Sequence, residues 1–223
     1  MRMHYACKSE TEGSFMSIRE MVIEEQISLT PPGYWGSSLD NIFIIYNFIS
    51  KEESEKINNY IRVNTVWDET PTHDVWKSRV HHNGLFTDNS IKLITKNIID
   101  RVKLKIENTL SVELADNAAS LVRWRVGDGQ GPHADKQLND GTPNMYPQND
   151  IASLVYLNDD YEGGEIYFPN QNFKVKPSKN SLIFFPGDIN YLHGVTTIEE
   201  GIRYTMPSFW KVTKISTNHT EGN

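Results

Sequence analysis

Cysteine is almost absent from this sequence: Cys7 stands alone among 223 residues. An intrachain disulfide is therefore excluded, and so is a zinc or iron–sulfur centre built on thiolates. Long apolar runs are lacking too. No stretch of about 18 apolar residues offers a membrane span, and the polar residues 1–15 hold no apolar signal core. Both absences suit a reducing, cytoplasmic setting with no membrane attachment. The third absence is positive charge. Lys and Arg number 22 against 29 Asp and Glu, a formal net charge of −7, which disfavours a general affinity for nucleic-acid backbones while leaving local basic patches open. Internal repeats and low-complexity tracts are also missing. Asn218-His219-Thr220 matches a glycosylation acceptor by pattern and reads as a chance match in a chain end.

What is present is a globular composition, 38% hydrophobic and 11% aromatic, with charges mixed along the chain. The length fits one domain with a full core and a concave site. Residues 1–40 read as irregular, with Pro31-Pro32-Gly33 as a turn, and 41–215 as the single domain. Residues 42–49 read as a short buried strand. Ser50-x-x-Glu53 is a capping box that opens a helix to about residue 64. A second helix is expected over 90–110, where Ile91, Ile94, Ile98, Val102, Ile106 and Leu110 recur three or four apart.

Beyond residue 120 the texture changes to short segments rich in β-branched and aromatic residues, separated by Gly, Asn, Asp or Pro. They fall at 121–127, 152–158, 165–169, 172–177, 181–186, 191–197 and 202–210. Helical support over about 50–110, followed by a β core over about 120–212 with no βαβ alternation, predicts a mainly β fold. The expected architecture is a jelly roll, a double-stranded β-helix, flanked by N-terminal α-helices.

Three signals carry chemistry. In His133-Ala134-Asp135 an extended chain puts imidazole and carboxylate on one face, able to grip one ion. Alone such a triplet is weak, but it follows a strand and Gly127-Asp128-Gly129-Gln130-Gly131, at the irregular rim where a jelly roll opens. His193, in an apolar strand, ordinarily reads as a core histidine; here it completes two His and one carboxylate. That set leaves coordination positions open, as in ferrous oxygenases, although zinc accepts the same ligands. The third is Arg203, ten residues beyond His193 across Glu199-Glu200-Gly201. A hairpin there would bring Arg203 beside the metal ligand. Arg203 and Thr205 share a face and together offer a guanidinium fork and a hydroxyl to a carboxylate. An arginine paired to a surface acid is the plainer alternative.

From Trp124 to Trp210 the chain resembles the 2-oxoglutarate/Fe(II) oxygenase domain, specifically its prolyl 4-hydroxylase-like branch. The pieces that carry the resemblance run in order. They are His133-x-Asp135, then Ala152-Ser153-Leu154-Val155-Tyr156-Leu157-Asn158, then Gly163-Gly164-Glu165-Ile166-Tyr167-Phe168-Pro169. Val175-Lys176-Pro177, Leu182-Ile183-Phe184-Phe185, His193-Gly194-Val195 and Gly201-Ile202-Arg203 follow. The resemblance implies Fe(II) on His133, Asp135 and His193, with 2-oxoglutarate and O₂ as cosubstrates and ascorbate as a reductant. Arg203 would pair with the distal carboxylate of 2-oxoglutarate, supported by Tyr156 and Thr205; these ligands and Arg203 form the expected catalytic set. One departure touches the cosubstrate end: the family often has a tyrosine nine residues before the first ligand, and this chain has Trp124, whose indole donates one hydrogen bond but cannot act as a phenol.

The implied activity is hydroxylation of a substrate C–H, in the first place a peptidyl proline, with release of succinate and CO₂, so the expected partner is a peptide or protein. Rival readings are an oxygenase of a small molecule or nucleobase, a non-catalytic metal-binding jelly-roll module, and a metal-dependent isomerase or hydrolase that would have no use for Arg203. Residues 136–150 form a long polar loop, either a lid or a surface insertion. Residues 76–85 read as an alternating strand; the resemblance sets it beside a peptide substrate and makes Arg79 the expected substrate contact. At most one of His81 and His82 would face the pocket.

Overall fold

The computed structural model describes residues 28–63, 66–68, 79–82 and 86–216. Cys7, the Asn218 triplet and the parts of 76–85 on either side of residues 79–82 lie outside the described residues. The first helix, α1, spans Lys51–Val63. Its capping box forms as the sequence requires: Ser50 N–H donates to Glu53 Oε2 at 2.8 Å, and Glu53 N–H donates to Ser50 Oγ at 3.1 Å. The second, α2, spans Asn89–Leu110, is capped by Asp88, and ends at Ser111 in the left-handed region. It buries Ile91, Ile98, Val102 and Ile106 along one stripe, each side chain contributing about 1.5–3 kcal/mol of apolar burial. No helix among the described residues is long and apolar enough to cross a membrane.

Thirteen strands complete the described residues. They are β1 (Phe43–Ile45), β2 (Val80–His82), β3 (Val112–Leu114), β4 (Ser120–Arg125), β5 (Gln130–His133), β6 (Ile151–Tyr156) and β7 (Tyr161–Gly163). Then come β8 (Ile166–Phe168), β9 (Phe173–Val175), β10 (Leu182–Pro186), β11 (His193–Val195), β12 (Ile198–Trp210) and β13 (Val212–Ile215). The larger sheet runs β1-β10-β6-β12-β4-β2 with β7 on β12, the smaller β5-β11-β8-β9, and β3 pairs with β13. All pairings are antiparallel, giving the expected jelly roll of two facing sheets.

Strand parity divides the larger sheet into two faces. Ile151, Val155, Leu182, Phe184, Met206 and Trp210 join the cluster formed with the helices. Ala152, Tyr156, Ile183 and Phe185 face inward and pack with Ile166 and Phe168 of the smaller sheet. The helices thus seal the outer face, and the inner face is left to the site.

Two expectations are corrected. Within 42–49 only Phe43–Ile45 is strand, half-buried at the sheet edge, because Asn47 turns the chain at φ 54°. Glu199-Glu200-Gly201 is not a hairpin turn either. It lies inside β12, where the pairing with β7 shifts register between Ile198 and Glu200. The chain crosses from the smaller to the larger sheet at residues 196–197, so Arg203 does not lie on a strand paired with that of His193. It faces the interior from the opposite sheet.

Candidate metal centre and anion pocket

His133 is the last residue of β5 and His193 the first of β11, and the register sets them directly opposite each other. Cross-strand partners project to the same side, and the two ring centroids are 4.4 Å apart. Asp135 lies just past β5, its N–H donating to the Gly187 carbonyl at 2.9 Å. Its Oδ1 is 3.8 Å from His133 Nε2 and its Oδ2 is 3.6 Å from His193 Nε2. Among the described residues no other group of three His, Cys, Asp or Glu side chains converges in this way. Each Nδ1 lies 3.1 Å from a backbone carbonyl, of Gly131 for His133 and of Tyr191 for His193. A carbonyl only accepts, so each Nδ1 carries the hydrogen and each Nε2 turns a lone pair toward Asp135.

Burial pushes the Asp135 carboxyl up to about 6, with the nearby His133 opposing. It pushes His193 down to about 4 and lowers His133, which the neighbouring His193 depresses further. The three groups are therefore held toward their uncharged forms, each with a lone pair directed at the others. This donor set fits a divalent cation, whose charge would reverse the Asp135 shift.

The second polar feature is Arg203, which is fully buried. Its Nη2 donates to Tyr156 OH at 2.9 Å. The guanidinium carbon lies 4.9 Å from the Tyr156 ring centroid and 5.4 Å from that of Trp124, the residue opposite Arg203 on β4. Nε and Nη1 of Arg203 and Oγ1 of Thr205 are buried without a hydrogen-bond partner. Buried polar groups are ordinarily satisfied and buried charges paired, so an enclosed cation with Nε and Nη1 open, beside the open Thr205 hydroxyl, describes a receptor for an anion such as a carboxylate. Gly164 makes room for this side chain. Its φ is +67°, and a Cβ there would stand 2.4 Å from Ile198 Cδ1 and 3.2 Å from Arg203 Cδ, so the Gly163-Gly164 pair is a steric requirement.

A cleft of about 650 Å³ opens on the metal cluster; its lining includes His133, Asp135, His193, Trp124 and Thr205, while Arg203 and Tyr156 are not among the lining residues. Trp124 has a clear place: its ring lies between the guanidinium groups of Arg203 and Arg79, whose Cζ atoms are each 5.4 Å from its centroid. Arg79 is engaged elsewhere as well. Its Nη2 donates to Asp128 Oδ1 at 2.6 Å, and it stands behind Trp124 rather than among the lining residues. His81 is buried toward the helices, with Nδ1 2.7 Å from Val66 O and Nε2 3.0 Å from Tyr60 OH; the side chain of His82 lies outside the described residues.

Two features escaped sequence reasoning. Tyr161, on β7, is buried with Trp124; its hydroxyl is pushed up by that burial, with the Arg203 charge opposing. Nothing in its sequence neighbourhood signals Arg203, because β7 reaches it only by pairing with β12. The other is the buried ion pair Lys136–Asp150, hidden in a loop that reads as polar and solvated.

Residues 119–211 match the model of the 2OG-Fe(II) oxygenase superfamily. A protein described as probable prolyl 4-hydroxylase 3 of Arabidopsis thaliana is 26% identical over 151 residues, covering 63% of this chain and 50% of its own length. The chain thus spans half the length of that curated relative. Among solved structures, the viral collagen prolyl hydroxylase of Paramecium Bursaria Chlorella virus-1, in a 2OG complex, aligns with a TM-score of 0.55 at 20% identity, covering 78% of this chain and 97% of that one. A prolyl hydroxylase of Trichoplax adhaerens, solved with a hypoxia inducible factor oxygen degradation domain peptide fragment, aligns with a TM-score of 0.55 at 17% identity, covering 88% and 94%. At these identities the structural likeness speaks for the fold, and the family match speaks for the site-bearing segment. Over residues 119–211 the chain is similar to the 2OG-Fe(II) oxygenase superfamily, and its relatives above are prolyl hydroxylases.

Proposed function

We propose that the protein is a 2-oxoglutarate- and Fe(II)-dependent dioxygenase that hydroxylates a peptidyl proline and releases succinate and CO₂. The observation that carries this reading is the enclosed Arg203, with two open N–H groups, on the inner face that also bears the His133-Asp135-His193 cluster. A metal hydrolase or isomerase has no need of such a buried cation.

His133, Asp135 and His193 would hold the iron; Arg203, Tyr156 and Thr205 would hold the far carboxylate of 2-oxoglutarate. Bound together, iron and cosubstrate supply the oxidative decarboxylation that couples O₂ to C–H hydroxylation, with ascorbate as the reductant that keeps iron ferrous. The chain's own residues do the rest. The Gly131 and Tyr191 carbonyls fix both imidazole tautomers, so no proton competes at Nε2. Tyr156 OH accepts from Arg203 and so leaves its own hydrogen free to donate to a carboxylate. Trp124 and Tyr156 cover the guanidinium and keep water from it, which strengthens its pairing with an anion. The outer cleft offers Asn117, Asn144, Asn149, Ser120 and Ser208. These uncharged donors and acceptors suit a peptide backbone, and prolyl hydroxylase relatives point the same way. Arg79 would act on substrate through Trp124, and a reducing cytoplasm is the proposed setting.

Incubation with Fe(II), 2-oxoglutarate and proline-rich peptides should yield succinate together with a peptide one oxygen atom heavier. Absence of succinate formation, with or without peptide, would sink the assignment.

A further inference from the structure

Lys136 follows Asp135 directly and opens the 136–150 loop, yet its side chain is only 4% exposed and that of its partner Asp150 is fully buried. An ammonium has three hydrogens, and all three are answered: Asp150 Oδ1 at 2.6 Å, the Thr30 carbonyl at 2.7 Å and Ser28 Oγ at 2.8 Å. Ser28 also donates to Asp150 Oδ1, and Asp150 Oδ2 accepts from Val212 N–H at 2.8 Å. The pair closes the neck of the loop, since its members are the loop's two end residues.

The same neck grips the backbone of Asp135. Asp135 and Lys136 N–H both donate to the Gly187 carbonyl, and Gly187 N–H donates to Asp150 O. The contact is tight: a Cβ on Gly187 would stand 2.2 Å from Asn149 O and 3.3 Å from Asp135 Cβ. Asn144, from within the loop, donates to Asp135 O at 3.0 Å. Gln137 Oε1 accepts from Ile189 N–H at 2.8 Å, and Asp188 Oδ2 accepts from Gly33 N–H at 2.9 Å. The strap at residues 28–33 is therefore tied both to the chain beside Asp135 and to the chain leading into His193.

A buried ion pair contributes little net stability once its desolvation is counted, and its best-attested use is to fix one arrangement over others. We propose that Lys136 is a positioning residue for Asp135: the Lys136–Asp150 pair, completed by Ser28 and Thr30, aims the carboxylate at the two imidazoles. It also holds Asn144 and Tyr146 as a fixed wall of the cleft, not a lid. This rests on the metal reading above.

The test is Co(II) binding to the full chain, followed by the visible absorption of the ion, with circular dichroism to establish the folded fraction. Lys136→Met/Asp150→Asn removes both charges together and keeps an oxygen for Val212 N–H. Loss of such outer support typically costs about 10- to 100-fold in metal affinity, and that loss, with an altered Co(II) spectrum, is expected here. Lys103→Met/Asp116→Asn, on an exposed pair, should change neither. A merely structural role predicts a lower melting temperature with Co(II) affinity and spectrum of the folded protein unchanged, which overturns the proposal. Should the double variant not fold, Ser28→Ala deletes one contact and should weaken Co(II) by about 2- to 10-fold, the worth of one hydrogen bond; no change overturns the proposal equally. Failure of the native chain to bind Co(II), or equal binding by His133→Ala, would instead remove the metal reading itself.

Discussion

The two polar centres of the inner face are incomplete in opposite senses. At the His133-Asp135-His193 cluster burial drives a carboxyl up to about 6 and an imidazole down to about 4, so neutral imidazoles and a carboxylate penalised by burial converge their lone pairs and call for positive charge. At Arg203 a permanent cation is enclosed by Trp124 and Tyr156, has one hydrogen bond, and calls for negative charge. A structure selected for stability alone would have neither, since unanswered buried polarity is costly. One pair of ligands, a divalent cation chelated by a dicarboxylate, answers both. On the proposed function the difference also assigns the work: the cluster would hold the metal, and Arg203 would select the cosubstrate.

That division can be broken residue by residue. Asp135→Ala should have the largest effect, bringing Mn(II) binding and 2-oxoglutarate turnover to background in calorimetry and succinate assays. Arg203→Met should leave Mn(II) affinity intact and raise KM for 2-oxoglutarate by roughly 10²- to 10⁴-fold, since two charge-assisted hydrogen bonds are worth about 1.5–3 kcal/mol each. The same variant should melt higher than the native protein when no ligand is added, because it removes an unpaired buried charge. Tyr156→Phe deletes the one hydrogen bond Arg203 makes and should raise that KM by about fivefold, near 1 kcal/mol. Thr205→Val is the mildest, a change of a few-fold in KM with unfolding free energy within about 1 kcal/mol of native. A shift in Mn(II) affinity in either of the last two would blur the division.

How much of this was legible in the sequence depended on whether the signal was local. The capping box at Ser50 and Glu53 and the apolar stripe of α2 are short-range patterns, and both formed where expected. The shared face of Arg203 and Thr205 followed from strand parity alone and survived an error in topology: the expected hairpin at Glu199-Glu200-Gly201 is a register shift within β12, and Arg203 enters from the opposite sheet. The alignment of His133 with His193 is a matter of register across 60 residues of chain, which spacing cannot supply. Arg79, the expected substrate contact, is paired with Asp128, 49 residues away. Lys136 was visible only as the first residue of a long polar loop, its partners being Asp150, Ser28 and Thr30. In each case the deciding neighbour is distant in sequence.

The most direct test of the central claim is thermal unfolding with Mn(II) and 2-oxoglutarate, added singly and together. A ligand at 100 times its Kd stabilises by about 2.7 kcal/mol. If the cation and the anion complete one site, the joint stabilisation should exceed the sum of the single ones. In Arg203→Met that excess should vanish while the Mn(II) shift persists. Simple additivity in the native protein, or an undiminished excess in Arg203→Met, would contradict the account.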